Sequence, residues 1–185
     1  MVTVCVLSGM QPLPSLTPDL QLFKCLPPQV TEADYSTARQ YLYEHNVLCL
    51  ATSANDNPWI APVFYAVFTD KLIFLSSPHT QHCQNIASNP QISASVQEDY
   101  GDWEEIKGIQ LQGTVSCVDN ADKQSVIRAY SQKFPVTGPD APPEIVTALD
   151  KISWFEISVR KLLFIDNSKG LGYRAELDPM QLFSN

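Results

Sequence analysis

The run LCLATSANDNPWIAPVFYAVFTDKLIFLSSPHTQHCQNIASNPQISASVQ, from Leu48 to Gln97, decides the fold. It breaks into short apolar or alternating segments separated by turn residues. Val47 to Ser53 predicts a first strand. Asn55, Asp56 and Asn57 tolerate positive φ, so a hairpin turn follows. Trp59 to Thr69 predicts a second strand, with Pro58 and Pro62 limiting its pairing and marking an edge or a bend. Thr69, Asp70 and Lys71 turn the chain into a third strand, Leu72 to Ser76. A short helix is expected over Thr80 to Ala87, stopped by Asn89 and Pro90. Gln91 to Gln97 is a fourth strand.

Downstream, Glu98 to Glu105 is acidic and aromatic and reads as a loop. Ile106 to Val118 is a fifth strand, in which Gly108 and Gly113 mark bulges or a close approach. Asn120 is placed to cap a helix over Ala121 to Phe134, with Val126, Ile127, Tyr130 and Phe134 on its apolar face. A proline-rich loop, Pro135 to Pro143, follows. Ile152 to Val159 and Leu162 to Ile165 read as two further strands. NSKGLGYR, which opens the tail from Asp166, reads as turn or loop.

Upstream, Thr31 and Asp34 form a capping-box pattern ahead of a helix that carries Tyr35, Ala38, Leu42 and His45 on one face and stops at Asn46. Residues 1–30 hold five prolines and read as an irregular arm. The expected division is this arm, a barrel domain over 31–175 and a tail over 176–185. Six or seven short antiparallel strands with two or three outer helices give a mainly β fold with flanking helices, a small closed or partly closed barrel.

Composition excludes several classes. A net charge of −8 leaves no basic face for nucleic acid or for an anionic membrane surface. No apolar run reaches the roughly 18 residues of a membrane span. The five cysteines are scattered without a CxxC pair, which points to reduced thiols in a cytoplasmic protein. Three histidines with no ligand spacing argue against a metal site.

Four groups of residues could hold a ligand. The loop Ser76, Ser77, Pro78, His79, Thr80, Gln81, His82 places hydroxyls and backbone N–H groups at a helix start, where the dipole favours an anion; a plain N-cap would look the same. The stretch Ile60, Ala61, Pro62, Val63 could leave backbone groups free beside a flat ring. Gln110 and Gln112 share one face of their strand and could donate to and accept from a ring edge. Lys169, Tyr173 and Arg174, around Gly170 and Gly172, form a cationic glycine loop suited to phosphate or carboxylate. No side chain declares itself as a catalytic acid, base or nucleophile, so hard chemistry would fall to a cofactor.

Together LATS, PWIAPVFY, FLSS, TQHCQN from Thr80 to Asn85 and NIASNP resemble, in order and spacing, the core of the pyridoxamine 5′-phosphate oxidase-like, FMN-binding split barrels. The resemblance runs from about Thr31 to Arg174, and WFEISVRKLLFIDNSKGLGYR is similar to an uncharacterised bacterial branch. It implies a six-stranded antiparallel Greek-key split barrel, a homodimer, and FMN at the subunit interface. By position, the phosphate falls near Ser77, Thr80 and His82. The ring falls along Ile60 to Val63 with Gln110 or Gln112 in reach, and Trp154, Lys169 and Arg174 complete the pocket from the second subunit. Family members place Lys or Arg in the phosphate loop; here none stands between Lys71 and Lys107. Protonated His79 or His82, or else Lys107, Lys169 or Arg174, would then supply the charge. The same barrel could instead hold haem, with His45, His79 or His82 as axial-ligand candidates, or serve as a cofactor-free interaction dimer.

Overall fold

The computed structural model describes residues 29–138, 141–149 and 151–184. The expected N-terminal arm lies almost wholly outside them. The chain enters through α1 (Glu32–Glu44). Its capping box is present: Asp34 N–H donates to Thr31 Oγ1, and Thr31 N–H donates back to Asp34 Oδ2 at 2.9 Å. The helix ends one residue earlier than expected, with His45 as its cap. Tyr35, Ala38, Tyr41 and Leu42 form its buried face.

A hairpin pair follows, β1 (Val47–Ala54) and β2 (Asn57–Phe68), then β3 (Lys71–Ser76). Asn55 and Asp56, with φ of 50° and 61°, make the two-residue turn whose twist matches the strands it joins. The short helix is α2 (Gln81–Ser88), and it leads into β4 (Gln91–Gln97) and β5 (Lys107–Cys117). Strand order is β3-β2-β1-β4-β5, continuing to β6 (Ser153–Asp166), with β3 paired to β6. That pairing closes a six-stranded antiparallel barrel. The order β3-β2-β1-β4 is the Greek-key arrangement.

Several sequence expectations need correction. The two strands predicted over Ile152 to Val159 and Leu162 to Ile165 are one strand, β6, bent by a bulge at Arg160. The second long helix, α3 (Lys123–Lys133), starts two residues late; Asp122 precedes it, and Asn120 does not cap it. The proline-rich segment gives way to a short helix, α4 (Pro143–Leu149), that was not anticipated. Nor were β7 (Arg174–Leu177), which extends the sheet beside β6, and α5 (Pro179–Phe183). The end of the chain is anchored: Leu182 is fully buried, and Arg39 Nε donates to its carbonyl at 2.8 Å.

Alternation sorts each strand. Leu48, Leu50, Tyr65, Leu72, Phe74, Val96, Ile109, Ile157, Leu162 and Phe164 fill the barrel. Burying each such side chain contributes roughly 1.5–3 kcal/mol. A second cluster lies on the outer surface, where Val126 and Tyr130 of α3 cover Ala66, Ile73 and Trp154. α3 shields only this part of the wall. Over β1, β4 and β5 no helix covers the outer face among the described residues.

Candidate functional site

The bare wall is floored by small residues in two cross-strand rows. Pairing register gives one row as Ile60, Ala51, Ser93, Gln112, Lys161. The adjacent row is Pro62, Cys49, Ser95, Gln110, Leu163. All project outward, because strand positions two apart share a face. The short Ala51, Cys49, Ser93 and Ser95 lie between larger neighbours on β2 and β5. The result is a recess of about 350 Å³ lined by Ile60, Gln110 and Gln112 over that floor. A second recess, of about 360 Å³, shares Ala51, Ser93 and Gln112 with it. Together they lie in the size range of small-molecule sites.

The expected pair Gln110 and Gln112 is therefore brought to Ile60 and Pro62, three strands away. Ala61 and Val63 are not part of that surface: Val63 points into the core, and Ala61 shares its parity on the strand. What they share with the site is the backbone of β2. β3 pairs with β2 only from Tyr65 onward, so Asn57 to Phe64 has β1 on one side and no strand on the other among the described residues. Tyr65 N–H bonds toward β1, to the Asn46 carbonyl at 3.0 Å. The peptide groups of Pro58, Ile60, Pro62 and Phe64 thus face the open edge. The prolines bring no N–H. The Phe64 carbonyl accepts from Tyr130 Oη at 3.4 Å. That leaves Ile60 as the edge residue offering both a donor and an acceptor. Trp59, Ile60 and Phe64 flank the edge and are 50–64% exposed.

Ser76, Thr80 and His82 meet at the end of the barrel, beside that same split between β2 and β3. His82 Nε2 lies 2.8 Å from Ser76 Oγ and 3.2 Å from Thr80 Oγ1. Behind them, Gln81 Nε2 donates to Asn85 Oδ1, and Asn85 Nδ2 donates to the buried Thr52 hydroxyl. Thr80 sits at the N-cap of α2, yet its hydroxyl donates to the Ser77 carbonyl at 2.9 Å and caps no helical amide. The plain N-cap reading fails here, and among the described residues no side chain accepts from the first-turn amides of α2. Ser77 accepts from His79 N–H at 3.4 Å. His82 is nearly buried, and burial lowers its pKa from the ordinary histidine value. Protonation of His82 in the complex, one of the expected sources of charge, has to overcome this burial.

The remaining expected residues lie elsewhere. Trp154 is 8% exposed and packs edge-on to Tyr130, 5.2 Å between ring centroids, inside the cluster under α3. Lys169 Nζ donates to Asp34 Oδ1 at 2.6 Å, tying the glycine loop to α1. Tyr173 Oη donates to the same oxygen at 3.0 Å. Arg174 is exposed on β7, opposite Ile165. None of these four is brought to the bare wall of its own chain. A larger cavity, about 980 Å³, opens between α1 and the 98–105 loop. Glu44, Glu98, Asp99, Glu104 and Glu105 line it, so it disfavours the anion that the Ser76–His82 loop and the glycine loop suit.

Sequence reading missed Ala51, Ser93, Ser95, Arg160 and Lys161. The alternation in QISASVQ already put both serines on the outward face; only the pairing with β1 and β5 shows what they floor.

Comparison with known proteins agrees with the architecture. A family model described as pyridoxamine 5′-phosphate oxidase matches residues 36–166, more than half of the chain. A UPF0306 protein of Photorhabdus laumondii is 28% identical over 142 residues, covering 75% of this chain and 92% of that protein. Among solved structures, a haem-binding protein from Mycobacterium smegmatis superposes with a TM-score of 0.65 at 18% identity, over 84% of this chain and 61% of that one. An FAD-binding protein from Mesorhizobium loti gives 0.55 at 18% identity, over 72% and 92%. At such identities the structural likeness speaks for the fold. With the closed Greek-key barrel, its split between β2 and β3, and the family match over its whole length, the chain belongs to the pyridoxamine 5′-phosphate oxidase-like family.

Proposed function

We propose that the protein is an FMN-binding homodimeric flavoprotein, acting as an oxidoreductase on a small molecule in the cytoplasm. The observation that carries this reading is the bare wall: a flat, small-residue floor bordered by an unpaired strand edge. A planar ring stacks on Ala51, Cys49, Ser93 and Ser95 without steric conflict. Gln110 and Gln112 offer amide donors and acceptors to its polar edge from the β5 side. The first-turn amides of α2, with Ser77 and Thr80, offer neutral donors to an anionic group at the other side of the barrel mouth. The exposed Trp59, Ile60 and Phe64 beside the floor suit burial against a second copy of the chain.

FMN supplies hydride and electron transfer when bound. This chain's residues bind and orient the ring and, as a dimer, exclude water from it. Haem is the competing ligand, given the haem-binding relative. No histidine among the described residues lines the wall recesses, and His45 has both ring nitrogens engaged, by Tyr41 O at 2.7 Å and Glu98 Oε1 at 2.6 Å. The test adds FMN or haemin to purified protein and separates free ligand by gel filtration. Flavin absorbance in a dimer-sized peak supports the reading. A haem spectrum, or colourless protein at ligand concentrations well above micromolar, contradicts it.

A further inference from the structure

The cations absent from the loop before α2 stand on β6. Lys161 pairs with Gln112 and Val159 with Gly113, so Arg160 is an extra residue with no partner in the β5 ladder. A bulge of this kind bends its strand and re-aims a side chain. Regular alternation would send either Arg160 or Lys161 into the barrel. With the bulge, both are exposed, and Leu162 resumes the buried set.

Both cations reach the wall. Lys161 lines the recess over Ser95 and Gln110, and Arg160 lines the adjoining one over Ser93 and Gln112. No aspartate or glutamate among the described residues lines either recess. In a chain with 20 acidic and 12 basic residues, this is a local reversal of charge. Arg160 gives one guanidinium N–H to Gln91 Oε1, which leaves most of its five donors unused. Lys161 lies 3.2 Å from Glu176, but both side chains are largely exposed, and such a pair holds a lysine weakly.

We propose that Arg160 and Lys161 bind the anionic group, phosphate or carboxylate, of the ligand held on this wall, and so supply the charge that the Ser76–His82 loop lacks. Guanidinium matches either group in a two-pronged geometry, and an ammonium adds a mobile point charge. The anion selectivity rests on the wall alone; the choice of a flavin as probe rests on the function proposed above. The anionic group could be the cofactor's own phosphate or part of an anionic substrate.

The test titrates FMN and riboflavin, which differ by the phosphate, into wild type and the double variant R160Q/K161Q, following flavin fluorescence. In parallel, inorganic phosphate is titrated into flavin-free and FMN-loaded wild type, following the Arg160 Nε–Hε NMR signal. If the group is the cofactor's phosphate, the variant loses about tenfold or more in FMN affinity and keeps its riboflavin affinity. If it belongs to a substrate, FMN affinity is unchanged and phosphate still moves the Arg160 signal in loaded protein. Either result supports the proposal. An unchanged FMN affinity with an Arg160 signal indifferent to phosphate overturns it, as does an equal loss of both flavins. A wild type that binds neither flavin, but whose Arg160 signal follows phosphate, sinks the flavin reading and leaves the anion site standing.

Discussion

A Cβ on Gly113 would lie 2.4 Å from the carbonyl oxygen of Ser158. The β6 backbone can therefore press against β5 only where β5 has no side chain, and the bulge at Arg160 sits at that contact. Gly113→Ala forces the two backbones apart. The expected cost is about 1–3 kcal/mol in chemical denaturation, the range for overpacking at a rigid contact. Unchanged stability would show that the strands have room to yield.

Asp34 is fully buried and receives bonds from Lys169, Tyr173 and both donors of Thr31. Burial pushes its carboxyl up, but the bonds from Lys169, Thr31 and Tyr173 outweigh this and hold the pKa at about 2. Because the folded value lies below that of an unfolded carboxylate, its contribution is complete above about pH 4 and is lost as pH falls toward 2. Asp34→Asn should remove on the order of 1–2 kcal/mol at neutral pH, with the gap to wild type narrowing in acid. A gap independent of pH would assign the loss to packing alone. Lys169→Met should weaken the fold in the same way.

Lys133 is half-buried, donates to the His45 carbonyl, and lies 4.5 Å from the centre of the Tyr65 ring. Burial pushes its pKa down to about 8. Between there and the unfolded value of about 10.4, the unfolded chain binds more protons, so stability rises with pH in that window. The difference in unfolding free energy between wild type and Lys133→Met should grow across it. A flat difference would mean that the ammonium is solvated.

His82 is kept neutral by burial, with its folded pKa depressed. Its contribution to stability is present above the unfolded value of about 6.5 and is lost as pH falls through the lower folded pKa. Ligand affinity at the α2 end should therefore be flat from about pH 6.5 to 8. A rise in FMN affinity following a histidine titration in that range, abolished in His82→Gln, would contradict this.

The strands from Val47 to Gln97 were legible because turn chemistry and alternation agree there: Asn55 and Asp56 take the positive φ that their sequence favours. β6 was misread because Arg160 and Lys161, two successive polar residues, look like a turn. Only Gly113 on another strand reveals them as a bulge. Ile60, Pro62, Gln110 and Gln112 were legible as separate groups, but the wall that unites them depends on β1 and β4 lying between, which is a matter of register. Lys169 looked like a free cation because its partner, Asp34, is 135 residues away. α5 was missed because Pro179 and so short a segment give no periodicity to read.

The most direct measurement is the visible spectrum of the protein after incubation with FMN and removal of the excess, for wild type and Ser93→Trp. Ser93 faces outward, so the indole fills the floor without touching the core. Wild type should retain flavin and Ser93→Trp should come through colourless. A wild type without flavin, or a Ser93→Trp protein as yellow as wild type, would contradict the placement of the cofactor on the bare wall.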